Sequence, residues 1–467
     1  MPFRLAPLLP VLLALISAQG ALGIMTPLIP LLLLQLGASA SVIGVVASAY
    51  YVGFLVGALT CERVVMRVGH IRAFAVFAAG AADAALLLVF AHAPWQVALL
   101  RLAIGYASSG LFLVVESWLN DRADSATRGR TFGAYLVASW GASALGPLAL
   151  NVVAATPMLF VVVGIAFATA VLPLALTQQA NPLVRPQAHF VLGRLYRVSP
   201  VGIACCLASG LINGAYYSLV PVFLERAGYG AGSVAAYISA AMLAGLLVQY
   251  PVGMLSDRFG RRPVMLGAVA AAFVLAIALG LAAGVPFLAI AALGFCFAAM
   301  TAPLYGLGAG QTNDRMERGD YVAASGGLLF IWSLGSAVSP SVAGLLMGRA
   351  GPAGLFGYLA AMLAALGLFT AARMLARDEV PRAQRTGFVP AAADDHGIVV
   401  PRERRRTPRL RPAGMAGKTL AQQGKGGIAH GFSRSARRRV GAAAGASAAR
   451  PLRPPVARAA AARTGPG

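Results

Sequence analysis

Charged residues are scarce in this chain. Only 11% of its 467 residues are Asp, Glu, Lys or Arg, whereas 58% are hydrophobic. A soluble globular chain carries about 25% charged residues. The composition therefore excludes an ordinary soluble domain and indicates a membrane protein.

Cysteine and histidine are also rare. The chain has four cysteines and five histidines, and no two cysteines form a Cys-x-x-Cys pair. This excludes a disulfide framework and the usual zinc spacing. No apolar run carries His, Asp or Ser at the spacing of a nucleophile and its base, so we expect no enzyme, no metal and no cofactor.

Basic charge is concentrated near the C-terminus. The formal net charge is +23, of which residues 377–467 contribute +14. Arg, Ala, Gly and Pro dominate this segment, which cannot bury enough apolar surface to offset chain entropy. We predict a disordered cytoplasmic tail, with weak binding to anionic lipid as the functional alternative and no nucleic-acid partner.

Long apolar runs fill the rest of the chain. Crossing a bilayer takes roughly 20 apolar residues in a helix, and the sequence predicts an all-α membrane protein with twelve such helices. The runs are about 7–35, 41–60, 73–91, 95–118, 131–153, 157–177, 199–225, 231–252, 264–283, 286–306, 321–346 and 353–375. The first is too long for the core of a signal peptide, so we expect it to be retained.

The arginines between these runs predict an orientation. If the N-terminus is inside, sixteen arginines before residue 377 lie on the cytoplasmic side and only Arg226 and Arg349 lie outside. Positive charge is enriched in cytoplasmic loops. We therefore expect both termini in the cytoplasm.

The chain repeats itself at an offset of about 193 residues. Among the matching pairs are Arg67-Val68-Gly69-His70 with Arg258-Phe259-Gly260-Arg261, Asn120-Asp121-Arg122 with Asn313-Asp314-Arg315, and Trp140 and Pro147 with Trp332 and Pro340. Two pseudo-symmetric six-helix bundles are predicted, residues 1–177 and 199–376. A cytoplasmic loop, 178–198, joins them.

One segment resembles a known family signature. Gly253–Arg262 contains Gly253, Asp257, Arg258, Gly260, Arg261 and Arg262 between two apolar runs, where a tight loop needs glycine and arginine. This pattern resembles the signature loop of the major facilitator superfamily of transporters. The resemblance implies two parallel six-helix halves and a conformational gate at this loop. Met66 stands where the first-half copy of the pattern would carry an acid.

The resemblance extends to a bacterial branch of that superfamily. Glu116-Ser117-Trp118-Leu119-Asn120-Asp121, followed by Arg128-Gly129-Arg130, is similar to the YcaD-like transporters, as is Asn313-Asp314-Arg315. Gly141, Gly146 and Pro147 loosely resemble a fifth-helix motif of exporters. Ordinary close packing of helices is the alternative interpretation.

Three charges stand out well inside the apolar runs, because each is present in only one half. Asp83, Arg101 and Glu116 are therefore candidates for proton coupling or substrate contact, since a charge inside a bilayer normally faces a cavity or a partner. Arg101 and Gly105 resemble the superfamily's fourth-helix motif, which implies proton coupling. Asp83 and Arg101 are predicted at similar depth, so an ion pair that only fastens the first half is the alternative.

Four polar residues lie in the middle of the first and seventh runs: Gln19, Asn213, Tyr216 and Tyr217. The resemblance implies that these runs line the cavity, where the side chains would bind a polar solute. Hydrogen bonds between helices are an equal alternative.

These features predict a secondary active transporter that moves a small organic solute by alternating access. We expect proton coupling, a monomer in the bacterial cytoplasmic membrane, and a neutral, amphipathic or modestly charged solute, with export slightly favoured by Gly146-Pro147. Uptake of a sugar or organic acid is the alternative within the fold. A membrane enzyme or a non-transporting scaffold is the alternative of another class.

Overall fold

A computed structural model describes residues 8–122, 128–153, 157–177, 192–282, 284–316 and 321–376. Within these ranges the chain forms helices and turns but no strand. The predicted loop 178–198 is described only from residue 192 onward, and the predicted tail lies outside the described residues. The domain boundaries therefore remain predictions.

Twelve helical segments are long and apolar enough to cross a membrane, which confirms the prediction. We number them α1 (Leu9–Gln35), α2 (Ala40–Val68), α3 (His70–Phe90), α4 (Pro94–Leu119), α5 (Arg130–Val152), α6 (Met158–Ala175), α7 (Pro200–Arg226), α8 (Ala231–Phe259), α9 (Arg261–Leu281), α10 (Phe287–Asn313), α11 (Ala324–Ala350) and α12 (Pro352–Ala376). A short helix, Leu192–Val198, precedes α7.

Some of these segments are interrupted. A 3-10 turn, Gly146–Leu148, divides α5, because Pro147 lacks the N–H that a continuous helix needs. The helix of α10 is likewise divided between Thr301 and Leu304, just before and after Pro303. Both breaks lie within a span, so the backbone changes direction inside the bundle and not at its edge.

The two halves pack in the same pattern. In the first half α2 packs on α4, α1 on α5 and α3 on α6, and in the second half α8 packs on α10, α7 on α11 and α9 on α12. The halves meet mainly where α2 contacts α11 and α5 contacts α8. This is the parallel repeat predicted from the sequence.

Two single-residue turns mark one end of the bundle, which we call the arginine end. Gly69 joins α2 to α3 with φ 84°, and Gly260 joins α8 to α9 with φ 109°. Only glycine adopts such angles at low cost. The prediction of a loop across Gly253–Arg262 was therefore wrong: α8 continues to Phe259, so Gly253, Asp257 and Arg258 lie on the helix.

The halves are in closest contact at the opposite end, where α1 turns into α2. A Cβ atom added to Gly344 of α11 would lie 2.6 Å from the carbonyl oxygen of Ala40. One turn further in, the hydroxyls of Ser48 and Ser341 are 2.8 Å apart, and the Ser341 N–H donates to the Ser48 oxygen at 3.2 Å. Backbones thus touch across the halves, and α2 and α11 close this end.

Candidate functional site

A central cavity of about 110 Å³ lies between the halves. Both halves line it, through Gln19, Leu22, Gly23, Met25, Thr26, Ile29, Pro30, Ile43, Ala47, Tyr50, Tyr51, Phe54, Arg101, Ser143, Tyr217, Ser218, Met242 and Trp332. Pro27 and Pro30 lie inside α1 and remove the donors for the carbonyls of Gly23 and Thr26, which line the cavity. Such carbonyls are tolerated in a membrane protein where they face a cavity.

Two glycines hold α4 against α2 beside this cavity. A Cβ atom on Gly105 would meet the carbonyl oxygen of Tyr50 and lie 3.1 Å from the amide nitrogen of Phe54. Gly53 meets the backbone of Leu102 in the same way. Arg101 lies one turn before Gly105, and this close approach places its guanidinium carbon 4.4 Å from the centre of the Tyr50 ring.

We expect Gly105→Ala to damage this site although alanine favours helices. The added methyl group would meet backbone and not a flexible side chain, so α4 must move, at a cost of about 1–3 kcal/mol. Gly141→Ala is the matched control, because no neighbouring atom lies within 4 Å of a Cβ atom there. Melting temperatures in detergent should fall for Gly105→Ala only; equal effects would contradict this account of the α2–α4 contact.

Arg101 is the one charged residue among those that line the cavity. Its side chain is half-buried, and its Nε atom is buried with no hydrogen-bond partner within the protein. The predicted ion pair with Asp83 is not formed. Asp83 lies on the exposed face of α3, where Val76 and Leu87 are also exposed, and Arg101 packs on Tyr50 instead.

Glu116 is buried near the arginine end of α4, 5% exposed. The hydroxyl of Tyr135 on α5 donates a hydrogen bond to Glu116 Oε1 at 3.3 Å. Tyr305 of α10 lies close enough to interact with Glu116 electrostatically. This carboxyl is therefore enclosed by residues of both halves, and it lies about 22 Å along α4 from Arg101.

The four polar residues of α1 and α7 separate into two groups. Gln19 and Tyr217 line the cavity, and Gln19 also donates to Ser139 on α5 at 2.5 Å. Asn213 donates to Ser209 of its own helix at 3.2 Å, and Tyr216 donates to Tyr237 at 3.0 Å. Neither Asn213 nor Tyr216 is among the cavity-lining residues. Tyr216 makes the hydrogen bond between helices that was the alternative, whereas Asn213 bonds within α7.

One signature residue, Arg261, forms a buried ion pair with Asp314 at the arginine end. The Arg261 side chain is 1% exposed, and its Nε donates to Asp314 Oδ2 at 2.7 Å; Asp314 is 2% exposed. Asp257 approaches Arg261 at 3.4 Å but is 40% exposed. Arg262 is buried and donates to the carbonyl of Arg373 at 3.4 Å, whereas Arg258 is exposed and packs on Phe259.

The first half has a neutral contact at the matching position. His70 follows Gly69 as Arg261 follows Gly260, and its Nε2 lies 2.8 Å from the hydroxyl of Ser117 on α4. His70 also packs edge-on against Trp118 at 6.4 Å. The two halves therefore share a backbone turn, but the residue after the glycine makes a contact with a serine in the first half and an ion pair in the second.

Of the five described aromatic residues that line the cavity, only Tyr217 was predicted from the sequence. Tyr50, Tyr51 and Phe54 lie on α2 and Trp332 on α11, and Tyr51 packs edge-on against Trp332 across the halves at 6.3 Å. The available signal was the spacing of the three α2 residues. Positions i and i+4 share a helix face, with i+1 beside them.

Comparison with known proteins identifies the family. The family model described as Major Facilitator Superfamily matches residues 11–305 and 231–421. The "Uncharacterized MFS-type transporter YcaD" of Escherichia coli strain UMN026 is 30% identical over 349 residues, 73% of this chain and 89% of that protein. The YcaD protein of Shigella flexneri is 29% identical over the same shares.

Solved structures show the same fold at low identity. The nucleoside transporter NupG has a TM-score of 0.65 at 14% identity, covering 80% of this chain and 99% of its own. A bacterial homologue of the lysosomal transporter Spinster has a TM-score of 0.63 at 13% identity, covering 79% and 96%. This chain is therefore a multi-pass membrane protein, not an enzyme, and it belongs to the Major Facilitator Superfamily, in the branch of the YcaD-like transporters.

Proposed function

We propose that this protein is a secondary active transporter that moves a small organic solute through the central cavity by alternating access. The cavity carries this proposal, because residues of both halves line it. The α2–α11 contact closes it at the opposite end. A solute bound at this position would be released to one side or the other as the halves rock against each other.

We propose that the arginine end faces the bacterial cytoplasm, and that the protein acts as a monomer in the lipid of the inner membrane. Among the described residues outside the centre of the bundle, most arginines lie at the arginine end, whereas Arg226 and Arg349 end α7 and α11 at the opposite end. The positive-inside rule supports this orientation, with both termini inside. In this orientation the structure is closed toward the periplasm.

We propose proton coupling through Glu116, with Arg101 at the solute. Glu116 is a buried carboxyl held by a hydroxyl from α5 and close to α10 of the other half, so its protonation can favour one arrangement of the halves over the other. Asp83 has less support as a coupling residue, because it faces outward.

Proton uptake by vesicles tests the coupling. Purified protein is reconstituted with an internal pH dye, and a panel of solutes is added. We expect wild type to move protons with one solute class, and Glu116→Gln to abolish this movement while still exchanging labelled solute. Glu225→Gln is the matched control, because Glu225 is exposed at the end of α7. Unchanged proton movement in Glu116→Gln would reject the assignment, and a loss in Asp83→Asn alone would move it to α3.

We propose export as the slightly favoured direction, on the loose match of Gly146-Pro147 to the exporter motif. A Cβ atom added to Gly146 would lie 2.5 Å from the carbonyl oxygen of Gly20. The break in α5 is therefore in close contact with α1. Uptake of an organic acid is a second candidate, favoured by Arg101 in the cavity. The same vesicles distinguish export from uptake. Under one imposed proton gradient, a proton-coupled exporter moves the solute against the direction of proton flow, whereas an uptake transporter moves it in the same direction.

A further inference from the structure

Among the described residues that line the cavity, Arg101 is the only charged one, and no acid lies there beside it. Glu116 is fifteen residues away on the same helix, about 22 Å along the axis, and Asp83 lies on the outer face of α3. Arg101 therefore has no described acid beside it in the cavity to neutralise its charge.

The guanidinium of Arg101 keeps hydrogen-bonding capacity for a ligand. Its buried Nε has no partner within the protein, and the side chain is held by the face of Tyr50, which accepts no ordinary hydrogen bond. Guanidinium presents five N–H donors in a planar fork that matches a carboxylate in two parallel hydrogen bonds. A buried donor without a partner is costly, and a bound carboxylate removes that cost.

Packing alone does not explain a cation at this position. The equivalent residue of the second half is Leu293, which occupies the same place on α10 without a charge. Gly105 brings α4 against α2, and this contact does not involve the charge of Arg101. A charge inside a bilayer therefore persists here for a reason other than the fold.

The other residues that line the cavity indicate the chemistry of the rest of the ligand. Tyr50, Tyr51 and Phe54 of α2 and Trp332 of α11 provide flat apolar surfaces from both halves. Aromatic rings bind planar apolar groups in stacked or edge-on arrangements. The cavity is also lined by uncharged polar residues that can hydrogen-bond the ligand: Gln19, Thr26, Ser143, Tyr217 and Ser218.

We propose that the central cavity selects a small organic anion, with a carboxylate bound by Arg101 and a planar apolar body packed between the aromatic residues of α2 and α11. This inference rests on the proposed function, because it names the solute class of the same cavity.

Three probes of one size and different charge test the inference. Benzoate, benzamide and benzylamine share a ring and differ in the group that would meet Arg101. We expect benzoate to bind purified wild-type protein at least about tenfold more tightly than benzamide by calorimetry, with benzylamine weakest. Wild type alone decides this comparison, so it does not depend on the folding of any variant.

Substitution of Arg101 provides the second test. Arg101→Met should remove the preference for benzoate over benzamide, and Arg101→Lys should keep part of it, because lysine retains charge but loses the fork. The melting temperature without ligand checks that each variant is folded. Equal binding of benzoate and benzamide, tighter binding of benzylamine, or no benzoate binding at millimolar concentration would overturn the proposal. So would a benzoate preference that survives in Arg101→Met.

Transport assays separate this proposal from the proposed function. If vesicles carry a neutral or cationic solute and not an anion, the solute class is wrong while transport stands. If benzoate binds in an Arg101-dependent manner but no solute in the panel moves, the anion site stands and the proposed transport is wrong.

Discussion

A disulfide between positions 48 and 341 is expected to block transport reversibly, lowering it at least about tenfold. The hydroxyls of Ser48 and Ser341 are 2.8 Å apart, on α2 and α11 from different halves. Cysteines at these positions would approach within bonding distance without moving the backbone far. If the halves must separate at this end during each cycle, the crosslinked Ser48→Cys, Ser341→Cys variant cannot complete one.

The measurement is solute uptake by vesicles before oxidation, after oxidation and after reduction. Each single cysteine variant is a control, and Cys296→Ser is used as the background because Cys296 is the exposed native cysteine among those described. Uptake should fall at least about tenfold on oxidation of the double variant only, and reductant should restore it. Full uptake by verified crosslinked protein would show that α2 and α11 do not separate here.

Removal of Asp314 is expected to destabilise the second half far more than removal of Asp257. Asp314→Asn would leave the guanidinium of Arg261, 1% exposed, without its 2.7 Å carboxylate partner. Breaking a buried ion pair from one side costs about 3–5 kcal/mol. Asp257 is 40% exposed, so Asp257→Asn should cost at most about 1 kcal/mol.

The free energy of unfolding in mixed micelles measures both effects. The two variants make the same chemical change beside the same arginine. The difference between their losses in unfolding free energy therefore measures the effect of burial, since the change in net charge is equal. Arg261→Met combined with Asp314→Asn should recover part of the stability lost in Asp314→Asn, since the buried guanidinium that lost its 2.7 Å carboxylate partner is then removed. Equal losses in the two single variants would show that Arg261 does not depend on Asp314.

The sequence predicted the number of helices well because the bilayer imposes a minimum apolar length on each. It predicted their ends less well. The charged segment 253–259 interrupts the apolar run but not the helical hydrogen bonding, so a loop was expected where α8 continues. Only the positive φ of Gly260 marks the true turn, and glycine content alone did not distinguish Gly253 from Gly260.

Position along a helix was easier to predict than direction around it. Asp83 and Arg101 are each about seven residues from the same end of α3 and α4, as expected, yet Asp83 faces outward. Tyr216 and Tyr217 differ by one position, about 100° around α7. Tyr216 packs against Tyr237, and Tyr217 lines the cavity. Choosing between these faces requires knowing the neighbouring helices, which no single sequence supplies.

The single-residue joints at Gly69 and Gly260 have a mechanical consequence. With one residue between them, α2 and α3 cannot slide independently, and neither can α8 and α9. Each pair is joined at a single glycine, so a displacement of one helix end is passed directly to the next helix. Any tilt of α2 that parts it from α11 at the far end must therefore displace His70 at the start of α3, and with it the 2.8 Å contact that His70 makes with Ser117 of α4 at the arginine end.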